Sequence, residues 1–160
     1  MKKLNGLTAI VVIGVGAILL GFSSCKNTTT KKTIKAEAPA YKISLAQWSI
    51  NKMIREDKVS PYEFASLASN WGFEGLEYVS QLYTDVTKSD DPEAAIKIFI
   101  QKNNELSAKF GLKNILIMVD EEGNLATQNE EERLTAIENH KKWINAAAAM
   151  GCHSIRINLF

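Results

Sequence analysis

An α/β fold built on a parallel sheet is predicted by three features of the sequence. From Tyr41 onward, short apolar runs rich in Ile, Val and Leu alternate with longer amphipathic segments. These runs begin roughly every 30 to 40 residues, and each gap holds a helix or a helix with a loop, the spacing of right-handed βαβ crossovers. No G-x-G-x-x-G follows the first run, so the dinucleotide fingerprint of the open doubly wound sheet is missing. The other standard closure is the (β/α)8 TIM barrel, whose eight units need about 250 residues. Four strands and three helices take up roughly 120 residues here, so the expectation is a partial TIM barrel, its N-terminal half, over residues 41–160.

The elements follow in order. YKISLAQWS is the first strand and ends near Trp48. SPYEFASLASNWG is a helix, with Ser60 as N-cap, Pro61 at the first helical position and Glu63 closing a capping box. Its residues Phe64, Leu67, Ala68 and Trp71 share one face. FEGLEYV, Phe73 to Val79, is the second strand. The next helix opens with Asp91 and Pro92, places Ala95, Ile98, Phe99, Lys102 and Leu106 at helical spacing, and stops at Gly111. KNILIMVD is the third strand. The third helix, NEEERLTAIENHKKWINAAAAMG, is acidic at its start, as the helix dipole favours, and is closed by Gly151. CHSIRINLF is the fourth strand.

Strand residues alternate faces. Ile115, Ile117 and Val119 share one side of the third strand, and His153, Ile155, Ile157 and Leu159 one side of the fourth. These aliphatic sides suit packing against helices. Leu116, Met118, Asp120, Arg156 and Asn158 then point into the barrel, as do Gly75 and Glu77 of the second strand. Alternate strands of a barrel contribute to one layer, which makes Glu77 and Arg156 expected neighbours near the functional, C-terminal ends of the strands. Charges aimed inward must be paired or reach solvent. Two roles are open for them: an ion pair filling the pore, or the polar floor of a site contacting a hydroxylated substrate. The run Asp120 to Asn124 either lines the mouth or forms a polar turn. Trp48 either stacks on a sugar ring or packs.

Residues 1–24 have the parts of an export signal: Lys2 and Lys3, an apolar run from Leu7 to Phe22 broken by Thr8, then Ser23 and Ser24 before Cys25. The run is short for a spanning helix, which needs roughly 20 residues; an uncleaved membrane anchor is the alternative. The segment resembles a bacterial lipoprotein signal, although Phe22 stands where that family usually has leucine. The resemblance implies cleavage before Cys25 and lipidation of its thiol. Lys26 after it implies the periplasmic face of the outer membrane. Residues 25–40, rich in Thr, Lys and Ala, read as a flexible tether.

The formal net charge of +1 gives no support for a nucleic-acid partner. The two cysteines, Cys25 and Cys152, are too far apart in sequence and context to suggest a disulfide framework, and Cys152 is expected to be a buried small residue. Histidine is limited to His140, expected in packing or at the surface, and His153, expected to be partly buried. No H-x-H, H-E-x-x-H or clustered carboxylate–histidine set appears, and Glu130, Glu131 and Glu132 read as a solvated helix start. No metal ligand and no catalytic residue is assigned.

Four segments taken together, ISLAQWS, GFEGLEYV, FGLKNILIMVDEEGNL and NHKKWINAAAAMGCHSIRINLF, resemble the sugar phosphate isomerase/epimerase family of xylose-isomerase-like TIM barrels. G-F-E-G-L-E and A-A-x-x-G-C-x-x-I-R-I-N are the most telling pieces, and the likeness covers Tyr41 to Phe160. It implies a (β/α)8 barrel, a divalent metal (Mn, Mg or Zn) and ketose–aldose isomerisation or epimerisation. That chemistry moves a proton next to a carbonyl while the metal stabilises an enediolate. In the family the metal ligands come mainly from later strands, which are not in this chain. The expected partners are therefore a small-molecule carbohydrate and a membrane, reached through the lipid. The expected substrate-contacting residues are Glu77, Asn158, Arg156, Trp48 and Asp120. The chain alone is expected to be inactive, with an open sheet edge. The alternative is a lipid-anchored carbohydrate-binding protein without catalysis. The related endonuclease branch would need more histidines and a basic groove.

Overall fold

The computed structural model describes residues 41–159. The expected leader and tether, Cys25 among them, lie outside the described residues. No helix among the described residues is long and apolar enough to cross a membrane. The chain runs through β1 (Ser44–Ala46), a 3-10 turn (Gln47–Ile50), α1 (Asn51–Arg55), a 3-10 turn (Pro61–Glu63) and α2 (Phe64–Asn70). It continues through β2 (Gly75–Val79), a 3-10 turn (Ser80–Leu82), α3 (Thr84–Thr87), α4 (Pro92–Phe110), β3 (Lys113–Val119), α5 (Glu130–Ala149) and β4 (Ser154–Ile157). The four strands form one parallel sheet in the order β1-β2-β3-β4. The α/β class and the parallel sheet are as the spacing predicts.

Helix boundaries follow local chemistry. The Ser60 hydroxyl accepts from the Tyr62 N–H at 3.3 Å, and Glu63 accepts from the Ser60 N–H at 3.4 Å. This closes the expected capping box at the head of the turn leading into α2. Asp91 accepts from the Ala94 N–H at 3.0 Å, and Gly111 ends α4 in the left-handed region at φ 68°. The Asn129 side chain accepts from the N–H groups of Glu131 and Glu132, so the acidic first turn of α5 is both capped and favoured by the dipole.

The core lies on the helix-covered face of the sheet. Leu76 and Tyr78 of β2 and Ile117 and Val119 of β3 are fully buried there against Phe64, Phe99 and Trp143. Phe99 is the hub, with its ring edge-to-face with Tyr83 at 4.6 Å, Trp143 at 5.4 Å and Tyr78 at 6.2 Å between centroids.

The structure corrects five details of the sequence reading. The first strand is only three residues long, so Trp48 lies in the turn after it. Trp71, expected on the buried face of its helix, is half exposed, because α2 ends at Asn70 and the chain turns away through Gly72 at φ 82°. The inward row of α4 is Ala95, Phe99, Asn103 and Ser107, not the row holding Ile98 and Lys102. Asn103 tolerates burial because it donates to the Phe99 carbonyl at 3.0 Å and accepts from the Tyr83 hydroxyl at 3.3 Å. The displaced Lys102 instead covers the Tyr62 ring at 4.4 Å. His153 is exposed while Cys152 packs on the core, since β4 begins only at Ser154 and alternation does not extend upstream of it.

The fifth correction concerns β3. Its register with β2 slips at Leu76/Glu77: Leu76 pairs with Asn114 but Glu77 with Leu116. Ile115 is the extra residue of this bulge. It lies against Gly75, where a Cβ would meet its side chain at 2.7 Å, and not among the helices with Ile117 and Val119. Asn114 takes the helix side, donating to Asn104 and to the Met150 carbonyl, both at 2.9 Å.

Candidate functional site

The polar residues gather at the C-terminal ends of the strands. After Ala46 the backbone tightens into a 3-10 turn, which buries Gln47 completely and leaves Trp48 42% exposed. The Gln47 amide is a junction. It donates to the Pro61 carbonyl at 3.1 Å and the Tyr83 hydroxyl at 3.0 Å, and accepts from the Val79 N–H at 3.0 Å. Ser80, also fully buried, pins the end of β3. Its hydroxyl accepts from the Asp120 N–H at 3.1 Å and donates to the Asp120 carbonyl at 3.4 Å.

With its backbone fixed, Asp120 holds its carboxylate among three donors. Arg156 Nη2 and Gln81 Nε2 both reach Oδ2 at 3.3 Å, and Asn158 Nδ2 donates to Oδ1. Arg156 Nη1 also donates to Asn158 Oδ1 at 2.7 Å. The Arg156 side chain is 44% exposed, so its ion pair with Asp120 contributes at most about 1 kcal/mol. Its effect is orientation: acceptor, amide and guanidinium are presented side by side.

These groups border a cavity of about 540 Å³ lined by Trp48, Gln81, Asp120, Glu121, Arg156 and Asn158, with Ala46, Val79 and Met118 as its apolar part. An exposed indole, a carboxylate, two amides and a guanidinium around an open cavity suit a small hydroxylated ligand.

Four of the five residues expected to contact substrate are thus brought together: Trp48, Asp120, Arg156 and Asn158. Glu77 is not among them. It accepts from the Ser44 hydroxyl, lower on the open face of the sheet. The expected Glu77–Arg156 neighbourhood is also corrected. Glu77 is level with Leu116 and Ser154, whereas Arg156 is level with Met118 and Val79. Arg156 is therefore a further step along the sheet and two strands away, and Asp120 takes it instead.

The run after β3 divides its residues. Asp120 and Glu121 line the cavity, with Glu121 at φ 67°. Glu122 turns back and is 8% exposed, accepting from Trp143 Nε1 and pairing with Lys142 Nζ at 2.9 Å. Both readings of this run hold, each for different residues.

Sequence reasoning missed Gln47, Arg55, Ser80, Gln81 and Glu122. For Ser80 and Gln81 a signal existed: they follow β2 directly, at the end of a parallel strand where sites are built. Among the described residues no three His, Cys, Asp or Glu side chains converge to hold a metal. The oxygens of Asp120 are already engaged, one of them by a guanidinium that would repel a cation. The described residues do not fit a divalent-metal site. His140 packs inside α5, its Nδ1 2.7 Å from the Ala136 carbonyl oxygen. Burial raises the Cys152 thiol to about 11, leaving it protonated and a poor nucleophile at neutral pH.

No protein-family model matches the chain, and none of the curated proteins compared with it matches either.

Proposed function

We propose that residues 41–159 are the first half of a (β/α)8 barrel of the sugar phosphate isomerase/epimerase type, and that the cavity bordered by Trp48, Asp120, Arg156 and Asn158 binds a carbohydrate. The observation that carries this reading is the convergence of those four residues, drawn from the ends of β1, β3 and β4, on one cavity. Two features support the barrel. The parallel strands run in sequence order without the reversal that marks a doubly wound sheet. The core also lies on one face, leaving the other to Glu77, Leu116 and Met118.

In this reading Asp120 accepts from sugar hydroxyls while Arg156 and Asn158 donate to ring or hydroxyl oxygens, and Trp48 meets the apolar face of the ring. Isomerisation or epimerisation belongs to the complete barrel, with a divalent metal held by residues outside those described. The alternative, a carbohydrate-binding protein without catalysis, needs only the cavity itself. A Glu, Asp, His, Glu series at later strand ends would favour the enzyme.

The test titrates the isotopically labelled full chain with aldoses, ketoses and their phosphates. The Trp48 indole and Asn158 amide resonances shift, and Asp120→Ala weakens binding at least about tenfold, as loss of a hydrogen bond to a charged group predicts. Shifts confined to residues away from the cavity, or none with any sugar, sink the reading.

We also propose the lipid anchor that the resemblance of residues 1–25 implies, with the Cys25 thiol as its attachment point. Cells fed a labelled fatty acid incorporate it into the wild-type chain and not into Cys25→Ser. Equal labelling of both would exclude the anchor.

A further inference from the structure

We infer that Arg55 and Gln81 are positioning residues, which hold Trp48 and Asp120 at a fixed separation so that the apolar face of a sugar ring and its hydroxyls meet one preassembled surface. The inference rests on the carbohydrate reading of the cavity. An indole as exposed as Trp48, on a short turn, would ordinarily exchange rotamers freely. Here the Arg55 guanidinium carbon sits 4.9 Å from its ring centroid. One face of the ring is therefore covered by a cation, and the other is left for a ligand.

Arg55 is itself held. Its Nη2 donates to Gln81 Oε1 at 2.6 Å, and the other end of that amide, Nε2, donates to Asp120 Oδ2 at 3.3 Å. Charge fixes this orientation. Flipped, the amide would set its NH2 against a guanidinium and its oxygen against a carboxylate. Asp120 continues the chain to Arg156 and Asn158. The belt Trp48–Arg55–Gln81–Asp120–Arg156 thus crosses the ends of all four strands, and at least one partner in every link is exposed or half-buried. Links of that kind add little stability. What they supply is order before the ligand arrives, which spares the complex the entropy of immobilising two side chains.

The test has a ligand-free arm and a bound arm, both on the full chain. The Trp48 indole N–H signal is assigned by its disappearance in Trp48→Phe, and its fast motion is followed by relaxation. Gln81→Met leaves both Trp48 and the Arg55 guanidinium over its ring in place, yet it is expected to raise the motional amplitude of that indole as Arg55→Met does, with Trp71 unchanged. In the bound arm each variant weakens sugar binding about fivefold, and the double variant no more than either single one, as for links of one chain. Unchanged Trp48 motion in Gln81→Met overturns the inference, whatever the sugars do. An intact belt in a protein that binds no sugar overturns the carbohydrate reading and the purpose assigned to the belt, while leaving the mechanical coupling in place.

Discussion

Trp143→Ala is expected to lower the free energy of unfolding by about 4 kcal/mol, the middle of the range for deleting a buried aromatic side chain. The ring is fully buried on α5 and edge-to-face with Phe99, the hub of the aromatic core. Removing it opens a cavity that two long helices and a sheet cannot easily close. The indole N–H also holds Glu122, so the substitution leaves that buried carboxylate with Lys142 alone. Trp143→Phe separates the two effects: it keeps most of the apolar contact and loses only the hydrogen bond, for about 1–3 kcal/mol. Urea unfolding followed by far-ultraviolet circular dichroism reads both. A loss below 1 kcal/mol for the alanine variant would remove Trp143 from the core.

Gln47→Leu is expected to cost about 2–3 kcal/mol although it makes the position more apolar. Leucine nearly matches the volume of the side chain and supplies no polar atoms. The Val79 N–H loses the acceptor it uses at 3.0 Å, and a buried unpaired donor costs about 1–3 kcal/mol. The Pro61 carbonyl loses one donor but keeps the Phe64 N–H, and Tyr83 retains Asn103 at 3.3 Å. Because Val79 and the neighbouring Trp48 line the cavity, the loss should also reach the mouth. The same urea titration measures stability, and the Trp48 indole resonance reports the mouth. Equal stability of variant and wild type would mean that the junction is dispensable.

What was legible in the sequence follows from the range over which each interaction acts. Ser60 with Glu63, Asp91 with Ala94 and Gly111 at a helix end act within a turn of chain, so their effects can be read from neighbours. Asp120, Arg156 and Asn158 were legible for a related reason: strand alternation alone sends them to one face. Gln47 and Glu122 were not. Gln47 is buried because of partners 14 to 36 residues away, and Glu122 because of Trp143, 21 residues on. A polar side chain in isolation reads as a surface residue. The buried row of α4 was misjudged on the same ground, since Asn103 and Ser107 look like solvent-facing positions until Tyr83 and the helix backbone satisfy them. Glu77 was assigned to the mouth by its charge and its strand, and its distance from Arg156 depends on register that no local pattern encodes.

The bulge opposite Leu76 and Glu77 makes the cavity a matter of counting. Past it, the inward residues of β3 are Leu116 and Met118, followed by Asp120. In an uninterrupted ladder Ile115 would face Glu77, and every later residue would exchange sides. A chain of the same length that paired without the bulge would contain the same carboxylate, guanidinium and amides. It would nevertheless aim Asp120 at the helices and deprive Arg156 of its partner. Homologous chains can therefore be sorted by parity: an odd insertion or deletion between the bulge and Asp120 changes the chemistry of the mouth, whereas an even one preserves its phase.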